Sequence, residues 1–175
     1  MKFFSDIRLL ILAVWIGAAV FFIGVAQSAF SVVPERELAG AVVNRSLTIL
    51  NFGGMGVAAL LILTSLVGVA NVSRPWLWIE RFLLLFVGAA CAVGQFVIGF
   101  WLASVRNQMG GPVDSLGPED PLRLQFTMLH EYSVWILFAA MAAAAIGFFI
   151  IANRRFTRPA TPQADVYDFS KEFKV

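Results

Sequence analysis

Four long apolar runs constrain this chain more than any other feature: roughly Leu9–Phe30, Phe52–Ala70, Phe82–Ala103 and Tyr132–Ala152. Each holds about 19 to 22 residues. At a rise of about 1.5 Å per residue, each spans the roughly 30 Å of a bilayer's hydrocarbon. The chain is 59% hydrophobic and 14% charged, too apolar for its polar residues to cover a soluble core of this size. In lipid the backbone must satisfy its own hydrogen bonds, which selects helices. Period-two alternation, the mark of a membrane barrel, is missing from the runs. The expected fold is all-α, an integral membrane four-helix bundle. It forms one domain over residues 1–153, with helices at about 9–30, 52–70, 82–103 and 132–152 and a cytoplasmic tail over 154–175.

Lys2 and Arg8 precede the first run, and Ala26-Gln27-Ser28 loosely resembles a cleavage site. About 20 apolar residues exceed the usual signal-peptide core, so the helix is expected to be retained. The single cysteine, Cys91, allows no intramolecular disulfide. One set of helix flanks carries Lys2, Arg8, Arg74, Arg81, Arg154, Arg155 and Arg158; the other carries Arg36, Arg45, Arg106 and Arg123. That excess places both termini in the cytoplasm by the positive-inside rule. A net charge of +2 without a basic stripe gives no reason to expect a nucleic-acid partner.

The connecting segments carry readable signals. Pro34 suits a first helical position and Glu35 and Glu37 a first turn, so a helix is expected to begin there and run on into the second span. Trp76 and Trp78 suit a headgroup belt, with Arg74 and Arg81 within reach of lipid phosphates. Residues 106–121, RNQMGGPVDSLGPEDP, are rich in Gly and Pro and are expected to be irregular. Asp120 then caps a last helix with Pro121 at its first position.

Helices pack in lipid where small residues let backbones approach. Ala13, Gly17, Gly24 and Ser28 form such a stripe on the first helix, and Gly88, Ala92, Gly99 and Ala103 repeat it at an offset of 75. Gln27 and Gln95 each follow a stripe member by three residues and suit interhelical hydrogen bonding. The expected packing residues are therefore Gly17, Gly24, Gln27, Gly88, Ala92, Gln95 and Gly99. LTILN at 47–51 echoes FTMLH at 126–130, pairing Asn51 with the chain's one histidine, His130. A duplicated helical hairpin is one reading of these echoes; chance recurrence of Ala and Gly is the other.

Chemistry is sparse. The soft ligands Met55, Met109, Met128, Cys91 and Met141 form no metal-binding motif with His130, and Met128 and His130 diverge on a helix. A single histidine excludes bis-histidine haem within one chain. Ser133 follows His130 by three residues, but no third orienting group accompanies them. Gly53-Gly54-Met55-Gly56 lacks the Lys-Ser/Thr ending of a phosphate loop and reads as a place for close packing or a kink. The expectation is no catalytic residue, no cofactor and no metal. What stands out is a polar cluster at the outer mouth: Arg45, Asn51, Arg123, Thr127, His130 and Glu131. Mutual satisfaction at the helix ends is the bland reading, with His130 anchored by Arg123, Glu131 or a neighbour on the second helix. A small vestibule or a pH-responsive contact is the functional one.

The pattern formed by Leu122, Arg123, Phe126, Leu129, His130 and Ser133 resembles the last-helix motif of the transmembrane protein 205-like family, a group of small four-helix membrane proteins of unknown function. Trp15, Gly17, Phe21, Phe30 and VPERELAG resemble that family's first helix and loop, and the likeness spans about residues 9–152. It implies the four-helix fold. An animal relative's association with tolerance of platinum drugs implies metal or drug efflux as one role. The residues themselves favour a non-catalytic membrane protein, a structural or accessory subunit of a larger assembly, with metal or small-solute export as the alternative. The expected partners are the lipid bilayer and other membrane subunits or further copies of the chain.

Overall fold

A computed structural model describes residues 2–67 and 74–153. It contains α1 (Lys2–Val32), α2 (Arg36–Val67), α3 (Arg74–Ala92), a π turn (Val93–Ile98), α4 (Gly99–Met109), a 3-10 turn (Val113–Ser115) and α5 (Pro121–Ala152). α3, the π turn and α4 are continuous and make one span. Four helices are thus long and apolar enough to cross a membrane, and the described residues contain no strand. This is a four-helix membrane bundle. The expected tail over 154–175, with Arg154, Arg155 and Arg158, lies outside the described residues, as do residues 68–73 of the second connection.

Every helix outruns its apolar window. α2 has 32 residues, about 48 Å at the standard rise, and starts sixteen residues before Phe52. It begins at Arg36 rather than Pro34, because the first intrahelical bond runs from the Ala39 N–H to the Glu35 carbonyl. α5 starts as expected: Asp120 Oδ1 accepts from the Leu122 N–H at 2.8 Å, and Pro121 occupies the first position. α4 ends where Gly110 turns left-handed at φ 64°, a conformation that glycine adopts without steric cost.

The helices occupy the corners of a square in the order α1, α2, α3, α5, each packed on its two neighbours. α1 therefore faces α3 across one diagonal, and α2 faces α5 across the other. Short connections between antiparallel neighbours produce this arrangement. α1 turns Ser5, Arg8, Leu12, Trp15 and Ala19 inward, a spacing of three and four that defines one helical face. Leu12, Leu61, Leu84, Val87 and Ile151 are almost wholly enclosed. The outer surface is the reverse: Phe21, Leu63, Phe100 and Trp135 are each more than 60% exposed, a covering that only lipid or another apolar surface accommodates.

Close approach is achieved at Gly54. A Cβ there would lie 2.5 Å from Cys91 Sγ and 2.8 Å from Trp15 Nε1, so α1, α2 and α3 interlock at this glycine. Trp15 Nε1 donates to the Leu50 carbonyl at 3.2 Å. Gly88 also packs tightly, its Cβ position lying 3.2 Å from Ala58 Cβ. Ala92 and Gly99 are half-buried on either side of the π turn. Gly17, Gly24 and Gln27 are different: all three point outward, and nothing lies within 4 Å of a Cβ built on either glycine. The inward face of α1 is taken by Leu12, Trp15 and Ala19, which turns the small-residue stripe away from the bundle. The two stripes that match at an offset of 75 thus occupy different environments.

Candidate functional site

The outer-mouth residues do not assemble as one cluster. Among the described residues no hydrogen bond or ion pair between different helices joins any two of Arg45, Asn51, Arg123, Thr127, His130 and Glu131. Arg123 Nη1 donates to the Leu116 carbonyl at 2.8 Å and ties down the loop before α5. Thr127 Oγ1 donates to the Arg123 carbonyl of its own helix at 3.0 Å. Arg45, His130 and Glu131 are exposed. His130 makes no side-chain hydrogen bond or ion pair among the described residues, and the reason is rotational. Leu129 takes the buried position on α5, so the next residue is turned about 100° away from the core. The diagonal placement of α2 and α5 also keeps Arg45 away from His130. The outer end is instead held by Arg36 Nη1, which donates to Asp114 Oδ1 and Oδ2 at 3.1 and 3.2 Å, and by a looser Arg106–Glu37 pair at 3.9 Å.

The strongest polar interaction lies near the opposite end. Arg8 Nη2 donates to Glu80 Oε1 at 2.5 Å and to the Leu61 carbonyl at 2.8 Å. Glu80 is fully buried and Arg8 nearly so. The pair crosses the α1–α3 diagonal, which only long side chains can bridge. Beside it, Arg81 Nε donates to Ser65 Oγ at 3.0 Å and Arg81 Nη2 to the Ser65 carbonyl at 2.9 Å. Arg81 thereby ties α3 to α2 at Ser65 instead of reaching outward to phosphates. The sequence carries a signal for this site. Arg8 shares a stripe with Leu12 and Trp15, and Glu80 sits in the buried series Leu77, Leu84, Val87 and Cys91. A charge on the apolar stripe of each of two spans calls for a partner.

A third polar element is built on the π turn, where Gly94 accepts at its carbonyl from the Gly99 N–H. Gln95 lies in this turn, and its Oε1 accepts from Asn51 Nδ2 at 3.5 Å. Asn51 is 5% exposed. The π turn widens the third span next to α2 and α5, and such turns recur at functional sites. Among the described residues no group of three or more His, Cys, Asp or Glu side chains could hold a metal ion.

The fold and these sites define a class: a small multi-pass membrane protein whose four helices enclose an ionic pair and an amide pair. Within that class the chain belongs to the family of the domain of unknown function DUF4149, whose profile matches residues 10–110, more than half of its length. No curated protein and no solved structure matches the chain. The family match covers α1 through α4, with Trp15, Gly54 and Cys91 inside it. It carries no transmembrane protein 205-like name, and the His130 motif lies beyond its end.

Proposed function

We propose that the protein is a non-catalytic accessory subunit of a larger membrane assembly, with both termini in the cytoplasm. The observation that carries this reading is the outward face of α1. Ala13, Gly17, Gly24, Gln27 and Ser28 line it, and open space lies over both glycines. A helix that packs through small residues gains from backbone proximity, and here that proximity is offered to another chain. The filled interior agrees with this, since Leu12, Leu61, Leu84 and Ile151 are almost wholly enclosed. A second reading, export of a small solute or metal, draws support from the π turn with its amide pair and from the transmembrane protein 205-like resemblance.

The deciding experiment is the native mass of the protein, extracted gently from its own membranes at natural expression level. A mass above any small homo-oligomer, with other chains in fixed ratio, supports the subunit reading. A monomer or plain homo-oligomer overturns it and directs attention to export. Reporter fusions at each terminus test the orientation, and a reporter active only outside the cytoplasm would reverse it.

A further inference from the structure

A space of about 10 Å³ lies where α2, the π turn and α5 meet, with Leu47, Asn51, Cys91, Gly94, Ser133 and Leu137 in its wall. Two oxygens on residues of its wall have unused hydrogen-bonding capacity. Asn51 spends Nδ2 on Gln95, while its Oδ1 receives no hydrogen bond from the described residues. An amide oxygen on a side chain as buried as Asn51 is costly in an apolar bundle when it has no donor. Ser133 is unusual in a second way. Hydroxyls within membrane helices commonly donate to the carbonyl one turn back, and Ser46, Thr48, Thr64 and Thr127 all do so here. Ser133 makes no such bond, although the space it borders also holds the Asn51 amide.

We propose that this space is a hydration site, holding one bound water that donates to Asn51 Oδ1 and bonds Ser133 Oγ, with the Cys91 thiol as a further weak partner. The size fits a single water, which needs about 10–15 Å³ of such space and two to four polar partners. A cation fits poorly, because the wall contains no carboxylate to neutralise it. The water links α2 to α5, the diagonal pair, at the level of the π turn. It therefore satisfies polar groups that direct packing leaves apart.

The test is a crystal structure of the full chain grown from a lipidic mesophase. One peak within hydrogen-bond distance of both Asn51 and Ser133 is the expected result. An empty space overturns the proposal. So does a peak that acquires anomalous signal after exchange into rubidium, which would make the ligand a cation. Ser133→Val, which brings methyl groups into the space and leaves the Asn51–Gln95 pair intact, should lose the peak. Asn51→Leu is the second variant should the first fail to fold, and a peak that persists in the folded variant also overturns the assignment. In solution, infrared difference spectra in ¹⁸O water should show an isolated water band in the wild type that the variant lacks.

Discussion

At the scale of single residues, the Arg8–Glu80 pair has the clearest energetic consequence. Taking two charges out of water is expensive, and the pair persists because each partner offsets the other's desolvation. Breaking it leaves one charge buried and uncompensated. Glu80→Leu alone should destabilise the bundle by about 3–5 kcal/mol, whereas Arg8→Met with Glu80→Leu should recover most of that loss. Unfolding of the purified protein in detergent would show it, and equal losses in the single and double variants would refute the coupling. Gly54→Ala should cost about 1–3 kcal/mol, since its methyl meets Cys91 Sγ and Trp15. Cys91→Ala should relieve part of that strain, and an unchanged melting temperature in Gly54→Ala would contradict the interlock. His130 behaves oppositely. Exposed and without a bonded partner, it should tolerate His130→Ala within about 0.5 kcal/mol, and a larger loss would show a contact that this placement lacks.

At the scale of elements, the ends of the spans are set by local chemistry that reads directly from the chain. Asp120-Pro121 and Gly110 are such signals, one opening α5 and the other closing α4. Asp120→Ala should free the Leu122 N–H and cost about 1 kcal/mol at the helix start. Hydrogen exchange over residues 121–125 should accelerate while the rest of α5 is unchanged, and unaltered exchange there would show that the cap contributes nothing. The π turn is an element of another kind. Val93–Ile98 reads as an uninterrupted apolar helix apart from Gln95, and its widening depends on how α2 and α5 meet the third span. Periodicity cannot report a one-residue change of pitch inside a run that is apolar on every side.

At the scale of the whole molecule, the outward stripe of α1 separates folding from assembly. Gly17→Leu with Gly24→Leu adds bulk into open space and replaces two weak helix formers, so the isolated bundle should keep its melting temperature. The same variant should fall out of its native assembly, read as a drop in native mass. Unchanged mass would remove α1 as the docking face. The small-residue pattern was legible, yet its direction was not, because spacing identifies a helical face without saying what lies opposite. By itself the sequence determined the number of spans, their helical state and most of their ends, since transfer of long apolar runs and local capping depend on neighbouring residues alone. Only the tertiary structure decided which face of α1 turns inward, that Arg8 reaches Glu80 across 72 residues of chain, and that Leu129 is buried while His130 beside it is exposed. Those outcomes depend on the order and rotation of helices around the bundle, fixed by side chains from different spans that compete for the same interior.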